Sequence, residues 1–183
     1  MTGAAISFAK APAMTQLFTN LRLLDPEANR LAPGALLVRD GKIAEVLDAT
    51  PDRAPEGAEV IDCDGHVLAP GIVDLGVKVC EPGERHKESY RSAGLAAAAG
   101  GVTTMVTRPD TEPAIDSPET LEFVTRRANE AAPVNVVPMA ALTKGREGRE
   151  MTEIGFLMDA GAAAFTDCDR VVTDTKVFSR ALT

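Results

Sequence analysis

The residues whose types and spacing could carry chemistry gather around one stretch, Pro70 to Gly83. Within it Asp74, Gly76, Lys78 and Cys80 alternate with Val73, Leu75, Val77 and Val79, the period of a strand whose two faces differ. Pro70-Gly71 punctuates its entry and Glu81-Pro82-Gly83 its exit. In a barrel strand the apolar set would face surrounding helices, and Asp74, Gly76, Lys78 and Cys80 would face the lumen. A carboxylate, an ammonium and a thiol on one face can pair charges. With Cys168 and Asp167, Cys80 is a conceivable metal set, although a buried free cysteine is the commoner outcome. The chain has only two histidines, His66 and His86; both fall in turn or loop sequence and read as surface residues. The run Lys144 to Glu150 is of mixed charge and reads as a solvated loop. No phosphate-binding glycine loop and no nucleophile elbow is present.

The elements that must position these residues come in two groups. Residues 17–70 are expected to form a small β domain. Leu17 to Leu23 alternates as a strand, and Ala35–Arg39 and Lys42–Leu47 flank Asp40-Gly41, which suits the positive φ angles of a type I′ hairpin. Glu59–Asp62 and His66–Ala69 flank a second turn, Cys63-Asp64-Gly65. From Ile72 onward, strands alternate with helices, the mark of a parallel sheet. Helices are expected at Ser89–Ala99, after Ser117-Pro118 with Ser117 as N-cap, from Thr152 to Gly161, and from Asp174 or Thr175. Strands are expected at Val102–Thr107, Val134–Met139 and Ala163–Thr166. That makes four βα units, half of an eight-fold barrel, and they would leave open parallel edges. Residues 71–183 are therefore read as the first half of a (β/α) barrel, truncated at Thr183, with a half-barrel closed by dimerisation as the other possibility. Residues 1–16 read as a disordered leader.

Four segments in order resemble the amidohydrolase superfamily, dihydroorotase most closely. The family pattern at the first barrel strand is Asp-x-His-x-His-x-Arg-Glu-Pro-Gly. Asp74 and Glu81-Pro82-Gly83 match it, while Gly76 and Lys78 stand at the two metal-binding histidines and Cys80 at the substrate-binding arginine. Gly100 to Thr104 matches Gly-Gly-x-Thr-x. Arg108 to Pro113 matches Met-Pro-Asn-Thr-x-Pro, with Asp110 at the substrate-contacting asparagine, where it would repel an anionic substrate. Gly161 to Asp169 matches Gly-Ala-x-x-Phe-Ser-Asp-Asp-Gly, keeping Asp167 at a carboxylate that ligates metal in bacterial relatives. The N-terminal segment resembles the family's small sandwich. The resemblance thus implies an α/β fold: an amidohydrolase-type TIM barrel, its first four βα units present, with a small N-terminal β-sandwich.

What the resemblance implies about function follows from the departures. Zinc serves catalysis in the family, but its ligands are largely replaced here, so no cofactor is expected. The implied function is a non-catalytic, dihydroorotase-like protein of pyrimidine biosynthesis, a structural partner of aspartate transcarbamoylase and itself oligomeric. The alternative is an active zinc-dependent dihydroorotase or related cyclic amidohydrolase with a divergent site. Family geometry also implies that Lys78 replaces the metal's positive charge by pairing with Asp167 or Asp74. Composition limits the other classes. A net charge of −8 argues against nucleic acid and anionic membranes. No apolar run reaches the roughly 18 residues a membrane span needs. Three scattered cysteines, Cys63, Cys80 and Cys168, make no disulfide framework, so a cytoplasmic setting is expected.

Overall fold

A computed structural model describes residues 14–182, which form two compact units divided between Pro70 and Gly71. The first unit is one mixed sheet of β1 (Thr15–Asp25), β2 (Arg30–Arg39), β3 (Lys42–Leu47), β4 (Glu59–Asp62) and β5 (Val67–Leu68). Its order is β3-β2-β1-β4, with β5 also on β1. Alternation in β1 buries Leu17, Thr19 and Leu21. Leu17 packs with Ala35 and Leu37 of β2 under Leu47 and Ala54. The β2–β3 hairpin turns at Asp40 and Gly41, with φ of 50° and 72°, the two positive angles a type I′ turn requires. Asp64 and Gly65 repeat that conformation, but β4 and β5 both run parallel to β1. The Cys63–Gly65 turn therefore carries the chain past the irregularity in β1 between Phe18 and Leu21 instead of reversing it.

Two expectations change in this unit. The sandwich is a single five-stranded sheet among the described residues, because every strand is bonded to β1 directly or through β2. The leader expected over residues 1–16 lies mostly outside the described residues, and its last two residues are strand: Thr15 pairs with Arg39 and Gln16 with Val38.

The second unit has a parallel sheet in the order β6 (Ile72–Val77), β7 (Val102–Thr107), β8 (Asn135–Pro138). Its helices are α1 (Tyr90–Ala99), α2 (Pro118–Ala131), α3 (Ile154–Asp159) and α4 (Thr175–Ala181). Ser89 caps α1 and Ser117 caps α2, each accepting a backbone N–H three residues on. Asp174 caps α4. The core joins Met105 of β7, Tyr90 and Ala93 of α1, Leu121, Val124 and Ala128 of α2, and Leu157 of α3. The 3.6-residue period of α2 places Leu121, Val124 and Ala128 on one stripe, and burial of Leu121 and Val124 contributes about 1.5–3 kcal/mol each.

The strand expected at Ala163–Thr166 contributes only one parallel bridge, Ala140 to Phe165, so three strands and a bridge stand where four strands were expected. Thr152 does not cap α3. Its hydroxyl donates backward to the carbonyls of Ala141 (2.9 Å) and Leu142 (3.2 Å), and Glu153 takes the cap position without a side-chain bond. The alternation read through β6 also fails. Its pairing with β7 slips between Leu75 and Val77 across Gly76, whose φ is +87°. Leu75 is 74% exposed and Val73 is exposed too, whereas Val77 and Val79 pack into the core.

Glu81 holds this unit together at the point where β6 gives way to α1. Its buried carboxylate accepts the Tyr90 N–H at the start of α1 (3.1 Å) and the Arg127 Nε–H from α2 (2.7 Å), with Arg85 at 3.6 Å. Burial alone would raise its pKa. The hydrogen bonds from Arg127 and Tyr90 and the charges of Arg127 and Arg85 outweigh burial and hold it below the ordinary value. Because the folded pKa is depressed, this stabilisation is present above the unfolded value of about 4.3 and is lost as pH falls through the lower folded one. Glu81→Ala, which strands Arg127 and the Tyr90 N–H, is expected to cost about 3 kcal/mol at neutral pH in urea unfolding. The gap between variant and parent should close as the pH is lowered below 4 or so; a pH-independent gap would remove the electrostatic account.

Candidate functional site

In parallel α/β units the chain beyond the C-terminal end of each strand is where sites are built. Here each of the four successive segments sends a charged residue from that end. Lys78 follows β6. Arg108 and Asp110 follow β7. Arg146 lies in the loop after β8, and Asp167 and Asp169 follow the bridge at Phe165. The Asp110 side chain is only 3% exposed, and its Oδ2 takes both the Lys78 ammonium at 3.1 Å and Arg108 Nη2 at 2.8 Å. Arg108 Nη2 also lies 3.9 Å from Asp169 Oδ1, which is 2.5 Å from Arg146 Nη2. Burial pulls the Arg108 pKa down, but its bond to Cys168 and the charge of Asp110 outweigh that and keep the guanidinium charged. The Asp169 carboxyl is held low first by a backbone hydrogen bond and then, against its slight burial, by the charges of Arg146, Arg108 and Lys78.

Asp167 serves a different purpose. One oxygen accepts the N–H groups of Leu142 and Thr143, both at 3.0 Å, and the other accepts the Thr143 hydroxyl. Its carbonyl accepts from Arg146 Nε at 3.3 Å. The side chain is thus a backbone clamp for the loop after β8. Lys78 pairs with neither Asp167 nor Asp74; its carboxylate is Asp110. The ammonium reaches that buried partner from a side chain 53% exposed, so the expected lumenal lysine is half in water. Asp110, expected to repel an anion, is instead neutralised by two cations. Cys80 lies beyond the end of β6 and lines a cleft of about 320 Å³ with Asp110, Thr111 and Arg146. The loop expected to be merely solvated buries Arg146, which Asp167 and Asp169 hold.

Arg108 and Arg146 are the residues that reading the sequence missed. A signal for Arg108 was present. Arg108 and Asp110 depart from the pattern Met-Pro-Asn within one motif and with opposite charges, as a compensating pair would. Nothing local marks Arg146, whose partners lie more than twenty residues away.

The donor set does not fit a zinc centre of the kind the resemblance implies. Gly76 supplies no donor, the Lys78 ammonium is a cation held by Asp110, and both Asp167 oxygens are occupied by other donors. Among the described residues no group of three or more His, Cys, Asp and Glu side chains is placed to hold a metal ion, so Cys80, Cys168 and Asp167 do not form the substitute set weighed above.

The sequence profile of the family described as "Dihydro-orotase-like" matches residues 65–183. Dihydroorotase of Bacillus cytotoxicus is 43% identical over 169 residues, which cover 92% of this chain and 39% of that protein. Dihydroorotase of Bacillus cereus is 42% identical with the same coverage. The chain therefore spans about two fifths of the length of these curated relatives. Among solved structures, L-hydantoinase from Arthrobacter aurescens superposes with a TM-score of 0.70 at 24% identity, over 82% of this chain and 32% of that one. A D-hydantoinase gives 0.69 at 20% identity, over 92% and 38%. At these identities the likeness is one of fold.

The conformation of Gly76 yields a direct test. An added Cβ would meet nothing within 4 Å, so only the φ of +87° opposes a side chain. Gly76→Ala and Gly76→His should each lose about 1–2 kcal/mol in denaturant unfolding, by nearly the same amount. A histidine that costs nothing would show that the backbone is not constrained.

Proposed function

The chain belongs to the dihydro-orotase-like family, and from that premise we propose that it is a non-catalytic member serving pyrimidine biosynthesis as a structural partner of aspartate transcarbamoylase. The observation that carries the reading is the state of the first strand. In a zinc amidohydrolase the metal lowers the pKa of a bound water and polarises the scissile carbonyl. Two lumenal imidazoles would have to present that metal. This chain offers Gly76 and Lys78 at those positions, with Lys78 already bound to Asp110, while Asp167 is consumed by the loop after β8. Substrate recognition is altered as well. Cys80 replaces a cationic fork with an uncharged thiol, and Asp110 presents a neutralised carboxylate where an amide donor is expected. A scaffold needs the fold without the metal, and the charge pairs at the strand ends provide cohesion there.

The partner is proposed on family resemblance alone, and the cytoplasmic setting on the scattered cysteines Cys63, Cys80 and Cys168, which make no disulfide framework. Among the described residues no helix is long and apolar enough to cross a membrane.

Two experiments test the reading. With zinc supplied, the purified protein is expected to give no turnover of dihydroorotate above background; turnover abolished by a chelator would overturn the non-catalytic assignment. Co-expressed with aspartate transcarbamoylase, the two are expected to co-elute on size exclusion at micromolar concentration, and separate elution would remove the partner.

A further inference from the structure

Five charged side chains form an unbroken line at the C-terminal side of the parallel sheet: Lys78, Asp110, Arg108, Asp169, Arg146. Their signs alternate, and each consecutive pair lies between 2.5 and 3.9 Å. The line starts after β6, crosses β7 and the bridge segment, and ends in the loop after β8, so it ties together the C-terminal ends of all four βα segments. Four of the five stand where the pattern quoted above has a different residue: Lys78 for histidine, Arg108 for methionine, Asp110 for asparagine, Asp169 for glycine. Independent drift would scatter charges without regard to sign. These four departures are complementary and consecutive in one network.

We propose that this ion-pair line is the metal-independent replacement for the family's zinc centre, cross-linking the strand ends so that the site neither binds nor needs zinc. The inference rests on the non-catalytic reading and adds what holds the mouth of the sheet together. Two features close the position to metal. Gly76 has a left-handed backbone and no donor, and Lys78 brings an ammonium held by Asp110, a cation in place of a neutral imidazole donor. The line is not only a row of surface pairs of negligible worth: Lys78 and Asp169 are exposed, but the Asp110 side chain is almost fully buried and Arg146 is buried as well. Its links differ in strength. The Arg108–Asp110 pair is the shielded one, and the 3.9 Å contact of Arg108 with Asp169 is the weakest.

The test uses the purified chain. Its zinc content after incubation with zinc and gel filtration is expected to be far below one per chain, and its Tm is expected to be the same with zinc and with chelator. Asp110→Asn and Asp169→Asn share Arg108, so each should lower the Tm by several degrees, less so at high salt, and the double variant should lose less than the sum. If Asp110→Asn does not fold, Lys78→Met and the exposed Asp169→Asn take its place, and their losses are non-additive only if the line is continuous. Additive losses, salt-independent losses, or a stoichiometric zinc that raises the Tm would each overturn the proposal. Zinc uptake without turnover would overturn this inference and leave the non-catalytic reading standing, whereas turnover would overturn that reading itself.

Discussion

A carboxylate removed from water must find donors, and in this chain that demand fixes the second unit at Glu81. The residue lies buried beyond the end of β6, and its compensation comes from the first turn of α1, from Arg127 on α2 and from the nearby charge of Arg85. Meeting the demand positions two helices relative to one strand end. The core of Tyr90, Met105, Leu121 and Val124 then closes in the space those helices enclose. Hydrophobic burial supplies most of the free energy but little direction. The charge–dipole contacts of Glu81 supply direction, since an N–H and a guanidinium must approach from particular angles.

The same logic recurs at the strand ends. Asp110 is buried because β7 delivers it there, and it is tolerated because Lys78 and Arg108 arrive from two different segments. Asp167 is tolerated because the loop after β8 turns two N–H groups and a hydroxyl toward it. The two carboxylates therefore do structural work in a region where relatives of this fold carry chemistry. Glu81 and Asp167 both match the quoted family pattern, and each is held here by hydrogen bonds from other segments of the second unit.

Much of the architecture was legible in the sequence. The Asp40-Gly41 hairpin, the Ser89, Ser117 and Asp174 caps and the strand–helix order from Ile72 all rest on chemistry within four residues of one another, and they fold as that chemistry dictates. The alternation of residue types through β6 runs across Gly76, whose left-handed backbone breaks the period. Thr152 is of a type that suits a cap, but its hydroxyl donates to the carbonyls of Ala141 and Leu142 in the preceding loop. The fourth strand shrank to a bridge, since a β-branched or apolar run becomes strand only to the extent that its neighbour offers a ladder.

The sequence by itself determined the family frame, the presence of glycine and lysine rather than imidazoles at positions 76 and 78, and the order of elements, because residue identity and local spacing settle those. Only the tertiary structure decided which carboxylate meets which cation. Lys78 could have paired with Asp74, Asp110 or Asp167, and residue type does not choose among them. The choice belongs to the loops that converge at the C-terminal side of the sheet, bringing residues from four separate segments within hydrogen-bonding distance. The burial of Arg146 was decided in the same place, since a guanidinium flanked by charged residues in sequence enters the protein only when a distant segment supplies Asp167 and Asp169 to receive it.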